Sequence, residues 1–156
     1  MTMTHDLRSR PATAIPGIYL GAVELANRIP LSLVQLLARL AVARVFWQSA
    51  QTKLASWPVT EQLFRLEYNL PLIDPAIAAR LATASEITGA LLVFFGLFSR
   101  IGALMLLGVT ATIQIFVFPQ NWPDHLLWAS ALALIVARGP GVVSLDYLAK
   151  RVFDRR

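Results

Sequence analysis

The chain has 156 residues, 56% of them hydrophobic and 15% charged, with a net charge of +5. Soluble domains run at about 45–50% apolar and about 25% charged, so a water-soluble core of this length would leave large sticky patches; a disordered chain and an ordinary soluble enzyme are both excluded. The composition predicts an all-α polytopic membrane protein, because four spans of ~20 residues use about 80 residues and leave the rest for caps and tails.

Residues 1–13 are polar and unpatterned, and Pro16, Gly17 and Glu24 interrupt the apolar stretch that follows, which makes a poor signal peptide. Residues 1–29 read as a cytoplasmic leader. Within it, 18–28 is either a short interfacial helix or more unordered leader. Pro30 is placed to open a helix that runs without a breaker over 31–55, with Pro58 beyond its end. Residues 57–74 carry Glu61, Arg65, Glu67 and Asp74 among aromatics and are too charged to span, so an external cap is expected, with Thr60 as a helix N-cap. The second span, 75–98, starts from Asp74 as N-cap and Pro75 in the first turn. The third, 101–118, contains no charge, and the fourth, 122–138, is stopped by Arg138 and Gly139-Pro140-Gly141. Together 30–138 form the expected four-helix transmembrane bundle.

In 139–156, Ser144 can cap a last helix with Leu145, Leu148, Ala149, Val152 and Phe153 on one face and Asp146, Lys150, Arg151, Asp154 and Arg155 on the other. That division suits an interfacial helix at anionic head groups, and equally an amphipathic helix packed on protein. Four spans put Arg8, Arg10, Arg28, Arg100, Arg138, Lys150, Arg151, Arg155 and Arg156 on one side, against Lys53, Arg65 and Arg80 on the other. The positive-inside rule then places both termini in the cytoplasm of a bacterial inner membrane and the cap outside.

The chain has no cysteine, which removes dithiol, iron–sulfur and thiolate-metal chemistry, and His5 and His125 are too far apart in kind and place to ligate a membrane haem. No metal and no intrinsic cofactor are expected. The basic residues form no patch interleaved with aromatics, so nucleic acid is not an expected partner. Within the spans, a rise of ~1.5 Å per residue puts Arg44, Glu86 and Gln114 in one layer at ~18–21 Å from the cytoplasmic helix ends, with Arg39 somewhat lower. Three readings compete for Glu86: an ion pair with Arg39 or Arg44 serving packing, a pocket for a quinone head group or proton, and a protonated carboxyl without function. In the functional reading Glu86 and Arg39 are the catalytic candidates, and Arg44, Gln48 and Gln114 line the cofactor site. Trp47, Trp57, Phe64, Tyr68, Trp122 and Trp128 read as an interfacial belt rather than a ligand box, and His125 as a solvent-facing interfacial residue.

Arg39, Phe46 and Lys53 recur every seven residues, so they share a helix face. With Glu86-x-x-Gly89, Gly96, the turn Ser99-Arg100 and the segment GPGVVSLD at 139–146, this order and spacing resembles the DoxX family of small bacterial membrane proteins over roughly residues 33–147. Ala43 and Ala50 stand where relatives often have glycine, Ser49 where some have histidine, and Arg44 is additional. The resemblance implies a four-helix membrane bundle associated with quinone-linked oxidoreductase systems, with a quinone as the borrowed cofactor and the bilayer and a further protein as partners. The alternative is a noncatalytic anchor or scaffold for a periplasmic redox or metal-handling protein. Self-association is left open.

Overall fold

The computed structural model describes residues 17–154, all of whose regular structure is helical. The polar leader with Arg8 and Arg10, and Arg155 and Arg156 at the other end, lie outside the described residues. Helix α1 (Gly17–Asn27) belongs to a unit of its own, with an exposed Arg28–Glu24 pair at 3.0 Å one turn apart.

From Leu31 onward the chain builds a second unit. Helix α2 (Leu31–Ala55) is followed by a short helix α3 (Trp57–Leu63), whose last turn widens over Phe64–Tyr68 so that Asn69 N–H donates to Phe64 C=O, five residues back. Helix α4 (Pro75–Phe95) starts where Asp74 accepts hydrogen bonds from the amides of Ala76 and Ile77. Helix α5 (Ser99–Thr112) widens in the same way over Ile113–Val117 before Pro119 ends it. Helix α6 (Trp122–Arg138) stops at Gly139, and Ser144 caps helix α7 (Leu145–Phe153) by accepting from the Tyr147 amide.

Thr60 does not take the expected N-cap role. Ser56 occupies that position, and the Thr60 hydroxyl donates to the Lys53 carbonyl instead, tying α3 to the end of α2. The second span also ends sooner than expected, at Phe95, because Gly96 turns the chain through the left-handed region at φ 66°.

Three helical stretches are long and apolar enough to cross a membrane: Leu31–Ala55, Pro75–Phe95 and Ser99–Val117. Helix α6 has 17 residues, ~25 Å, at the lower limit for a span. Helices α2, α4, α5 and α6 pack in sequence, and α6 returns onto α2 to close a ring around Val42, Phe46, Val93, Leu106, Leu132 and Ile135. Helices α4 and α5 approach closely where Gly89 faces Gly102: a Cβ on either would lie 3.2 Å from the other's carbonyl oxygen. The small-residue face of α4 therefore serves backbone approach, as such faces do in membranes.

One end of the bundle is held by side chain to backbone bonds. Arg39, 2% exposed, donates to the carbonyls of Val93 and Phe94 in the last turn of α4 and to those of Pro140 and Val143 in the loop before α7. The last carbonyls of a helix have no partner within it, so a buried guanidinium with five donors suits this place. Asp146 does the reverse, accepting from the amides of Phe98 and Ser99 and from the Ser99 hydroxyl at the opening of α5. Gln35 closes α6 by donating to the carbonyls of Arg138 and Gly139. Gly96 sits under this clamp, where a Cβ would meet Ser144 Cβ at 2.5 Å and Arg39 Nη2 at 2.7 Å.

Candidate functional site

Toward the opposite end, the side chains of α2, α4, α5 and α6 separate beneath the cap and leave a cavity of about 500 Å³. Its size falls within the range of ligand pockets. The walls are mainly apolar. Phe46 meets Trp128 edge to face at 5.9 Å, and His125 lies 5.2 Å from Trp128; Phe64, Tyr68 and Phe118 form a second edge-to-face run at 4.8 and 5.7 Å. All six line the cavity.

Polar groups enter from two places. Lys53 Nζ donates to both carboxylate oxygens of Glu86 at 2.9 Å and to Ser49 Oγ at 2.8 Å, and Ser49 Oγ donates to Glu86 Oε1 at 3.1 Å. Glu86 is 1% exposed, and Lys53, at 15%, is partly buried. The three donors of the ammonium are thereby used, and a buried carboxylate has the cation and the hydroxyl it needs. On the other side, His125 Nδ1 lies 2.6 Å from Gln114 Oε1, while Gln114 Nε2 donates to Pro119 C=O at 2.8 Å. A carbonyl can only accept, so the Gln114 amide orientation is fixed and His125 Nδ1 must be the donor. His125 Nε2 has no partner among the described residues. At the cap, burial pushes the Tyr68 phenol above its ordinary value, and the Glu67 and Glu86 carboxylates push it the same way. It stays a protonated donor at neutral pH.

This arrangement corrects the expected one. Glu86 pairs with Lys53, and neither arginine reaches it. Arg39 is consumed by four carbonyls at the far end of the bundle, which leaves it no part in the cavity. Arg44, five residues on and so about 140° around the helix, is exposed on the outer face of α2 with Gln48, and neither lines the cavity. Gln114 does not line the cavity that Glu86 lines. It stands in the widened turn near the end of α5 and meets the cavity only through His125. His125 in turn is buried, not solvent-facing, because Gln114 supplies the polar contact that water would otherwise give.

Ser49, Lys53, Tyr68 and His125 are the site residues that sequence reasoning passed over. The signal for Lys53 was present in the seven-residue spacing, which places it on the inward face with Phe46. Trp47 and Trp122 are exposed, as belt residues would be, whereas Phe64, Tyr68 and Trp128 line the cavity.

A family model of DoxX matches residues 34–119, more than half of the chain. The chain belongs to the DoxX family. No curated protein and no solved structure matches it. In this DoxX protein the matched segment contains Arg39, Ser49, Lys53, Glu86 and Gln114, while His125 and the loop that Arg39 holds lie beyond it. Membership and three membrane-length apolar helices make this an all-helical membrane protein in contact with lipid.

Proposed function

We propose that this DoxX protein is a four-span inner-membrane subunit that binds a quinone head group in the cavity beneath its cap, as part of a quinone-linked redox system. The observation that carries this reading is the meeting, in one aromatic-walled cavity of about 500 Å³, of a charged triad on one side and a histidine with a free Nε2 on the other. A planar ring fits between aromatic side chains; its two carbonyl oxygens accept hydrogen bonds, and the hydroxyls of its reduced form also donate them. Tyr68 supplies a donor to a carbonyl oxygen and His125 Nε2 accepts from a hydroxyl of the reduced form, while the Lys53 donors stay engaged by Glu86 and Ser49. When bound, a quinone supplies the two-electron carrier that a cysteine-free chain lacks. The protein's own share is to hold the ring and to hold or move a proton at His125 Nε2 and Glu86.

The flank between α4 and α5 favours a ligand that arrives from lipid. Ala82, Ser85 and Gly108 line the cavity there, and Gly108 is exposed with no atom within 4 Å of where its Cβ would stand. A short-chain quinone head-group analogue should raise the thermal midpoint of the detergent-solubilised protein through binding linkage, by an amount equivalent to about 2.7 kcal/mol at a hundredfold excess over Kd. His125→Ala and Gly108→Phe should abolish the shift while the protein stays folded, and Arg44→Gln should keep it. If well-folded protein shows no shift and retains no quinone, the reading passes to the noncatalytic anchor, which the saturated Lys53–Glu86–Ser49 network would equally suit.

We also propose that both termini are cytoplasmic and the cap periplasmic. Lys53 is neutralised by Glu86, so the cap side keeps only Arg65 and Arg80 as open cations, and the basic asymmetry widens. A single cysteine at Glu61 should label from outside only, and one at Val152 from inside only; the reverse pattern inverts the topology.

A further inference from the structure

At the end of the bundle away from the cavity, a hollow of about 850 Å³ lies between the start of α5, the end of α6 and α7. Three cations from these three helices line it: Arg100, Arg138 and Lys150, all exposed. None is in an ion pair among the described residues. The one acid in its wall, Asp146, is occupied by three hydrogen bonds at the opening of α5. The α6 carbonyls that would otherwise attract a guanidinium are taken by Gln35. Arg100 lies over Gly139, its Nη2 3.7 Å from where a Cβ would stand, so it leans across the hollow toward the end of α6.

The rim is apolar and open. Phe98, Ile101 and Val142 are 62%, 56% and 49% exposed, beside the amphipathic α7, whose exposed Leu148, Val152 and Phe153 suit the boundary between head groups and acyl chains. Two planar guanidinium forks and an ammonium around one hollow match a phosphate, and apolar side chains next to it match the chains that a phosphate-bearing lipid carries. We propose that this hollow binds the phosphate head group of an acidic phospholipid, with Arg100, Arg138 and Lys150 as its ligands. Arg100 lies inside the family-matched segment and Arg138 and Lys150 beyond it, so the hollow joins the opening of α5 to the C-terminal part of the chain.

The test is the thermal midpoint of the full chain in nanodiscs of phosphatidylcholine alone and with phosphatidylglycerol, and in detergent with inorganic phosphate. Phosphatidylglycerol should raise the midpoint and remain bound after purification, whereas phosphatidylcholine and millimolar phosphate should do neither. Each cation removed should weaken lipid retention about fivefold, the effect of one surface charge at an anionic membrane. Arg100→Gln and Arg138→Gln combined should therefore erase the lipid-specific shift. Arg151→Gln, on α7 but outside the hollow, should lower general membrane attraction and leave the specific shift intact. Should the double variant misfold, Lys150→Gln read by retained lipid in native mass spectrometry gives the same decision. Equal stabilisation by both lipids, or a full shift in the double variant, overturns the site. A full shift with inorganic phosphate overturns the lipid as its source and leaves an anion site.

Discussion

Arg39→Ala should lower the stability of the solubilised protein by at least about 3 kcal/mol, a larger loss than any substitution on the outer face of α2. The reason is geometric. Four carbonyls from two segments, Val93 and Phe94 on one and Pro140 and Val143 on the other, converge on one guanidinium, and each bond to a charged donor contributes about 1.5–3 kcal/mol with incomplete additivity. Without Arg39 the end of α4 and the loop before α7 lose their shared donor, and the Val93 carbonyl loses a buried hydrogen bond. Arg39→Lys should recover only part of the loss, because an ammonium is a point donor and cannot span both segments as a planar fork does. Gly96→Ala should act on the same clamp from beneath, since the left-handed turn and the 2.5 Å approach to Ser144 leave no room for a methyl group. Thermal unfolding followed by tryptophan fluorescence measures all three. An Arg39→Ala variant within about 1 kcal/mol of the parent would mean that the carbonyls find other donors.

The helices were legible in the sequence because their ends are punctuated chemically. Pro30, Asp74-Pro75 and Gly139-Pro140 are local signals, and Ser144 precedes a period that only a helix satisfies. The turns were less legible. The widening over Phe64–Tyr68 and Ile113–Val117 leaves no sequence mark, and it is the second of these that delivers Gln114 to His125.

The site misled for a reason of length. Depth counted along helix axes locates Cα atoms, and by that measure Lys53 belongs to the outer rim. Its four-carbon stem reaches inward to Glu86, the reverse of the usual outward reach of lysine in membranes. Arg39, by contrast, was near enough in depth but is claimed by carbonyls 54 to 104 residues away in sequence, which no local pattern reveals. Arg44 was set aside by angle: five residues from Arg39 is the wrong side of the helix.

The second large effect belongs to the Lys53–Glu86 pair. Removing one partner alone should be severe: Glu86→Ala and Lys53→Ala should each cost about 3–5 kcal/mol, since either leaves a buried charge without its counterion. Glu86→Gln should cost less than Glu86→Ala, because the amide oxygen still accepts from Lys53 while its NH2 can turn toward Ser49. The double variant Lys53→Met with Glu86→Leu should recover most of the stability, because a packed apolar pair avoids the desolvation that two buried ions incur. In a double-mutant cycle Glu86 should couple to Lys53 and not to Arg39 or Arg44, whose effects should add to those of Glu86. Coupling to either arginine would reject the pairing. The double variant also separates structure from function. It should fold, and yet it should not respond to the quinone analogue if the charges hold the head group. A stable double variant that keeps the full analogue shift would leave the pair a packing role alone and place head-group recognition on His125 and the aromatic walls.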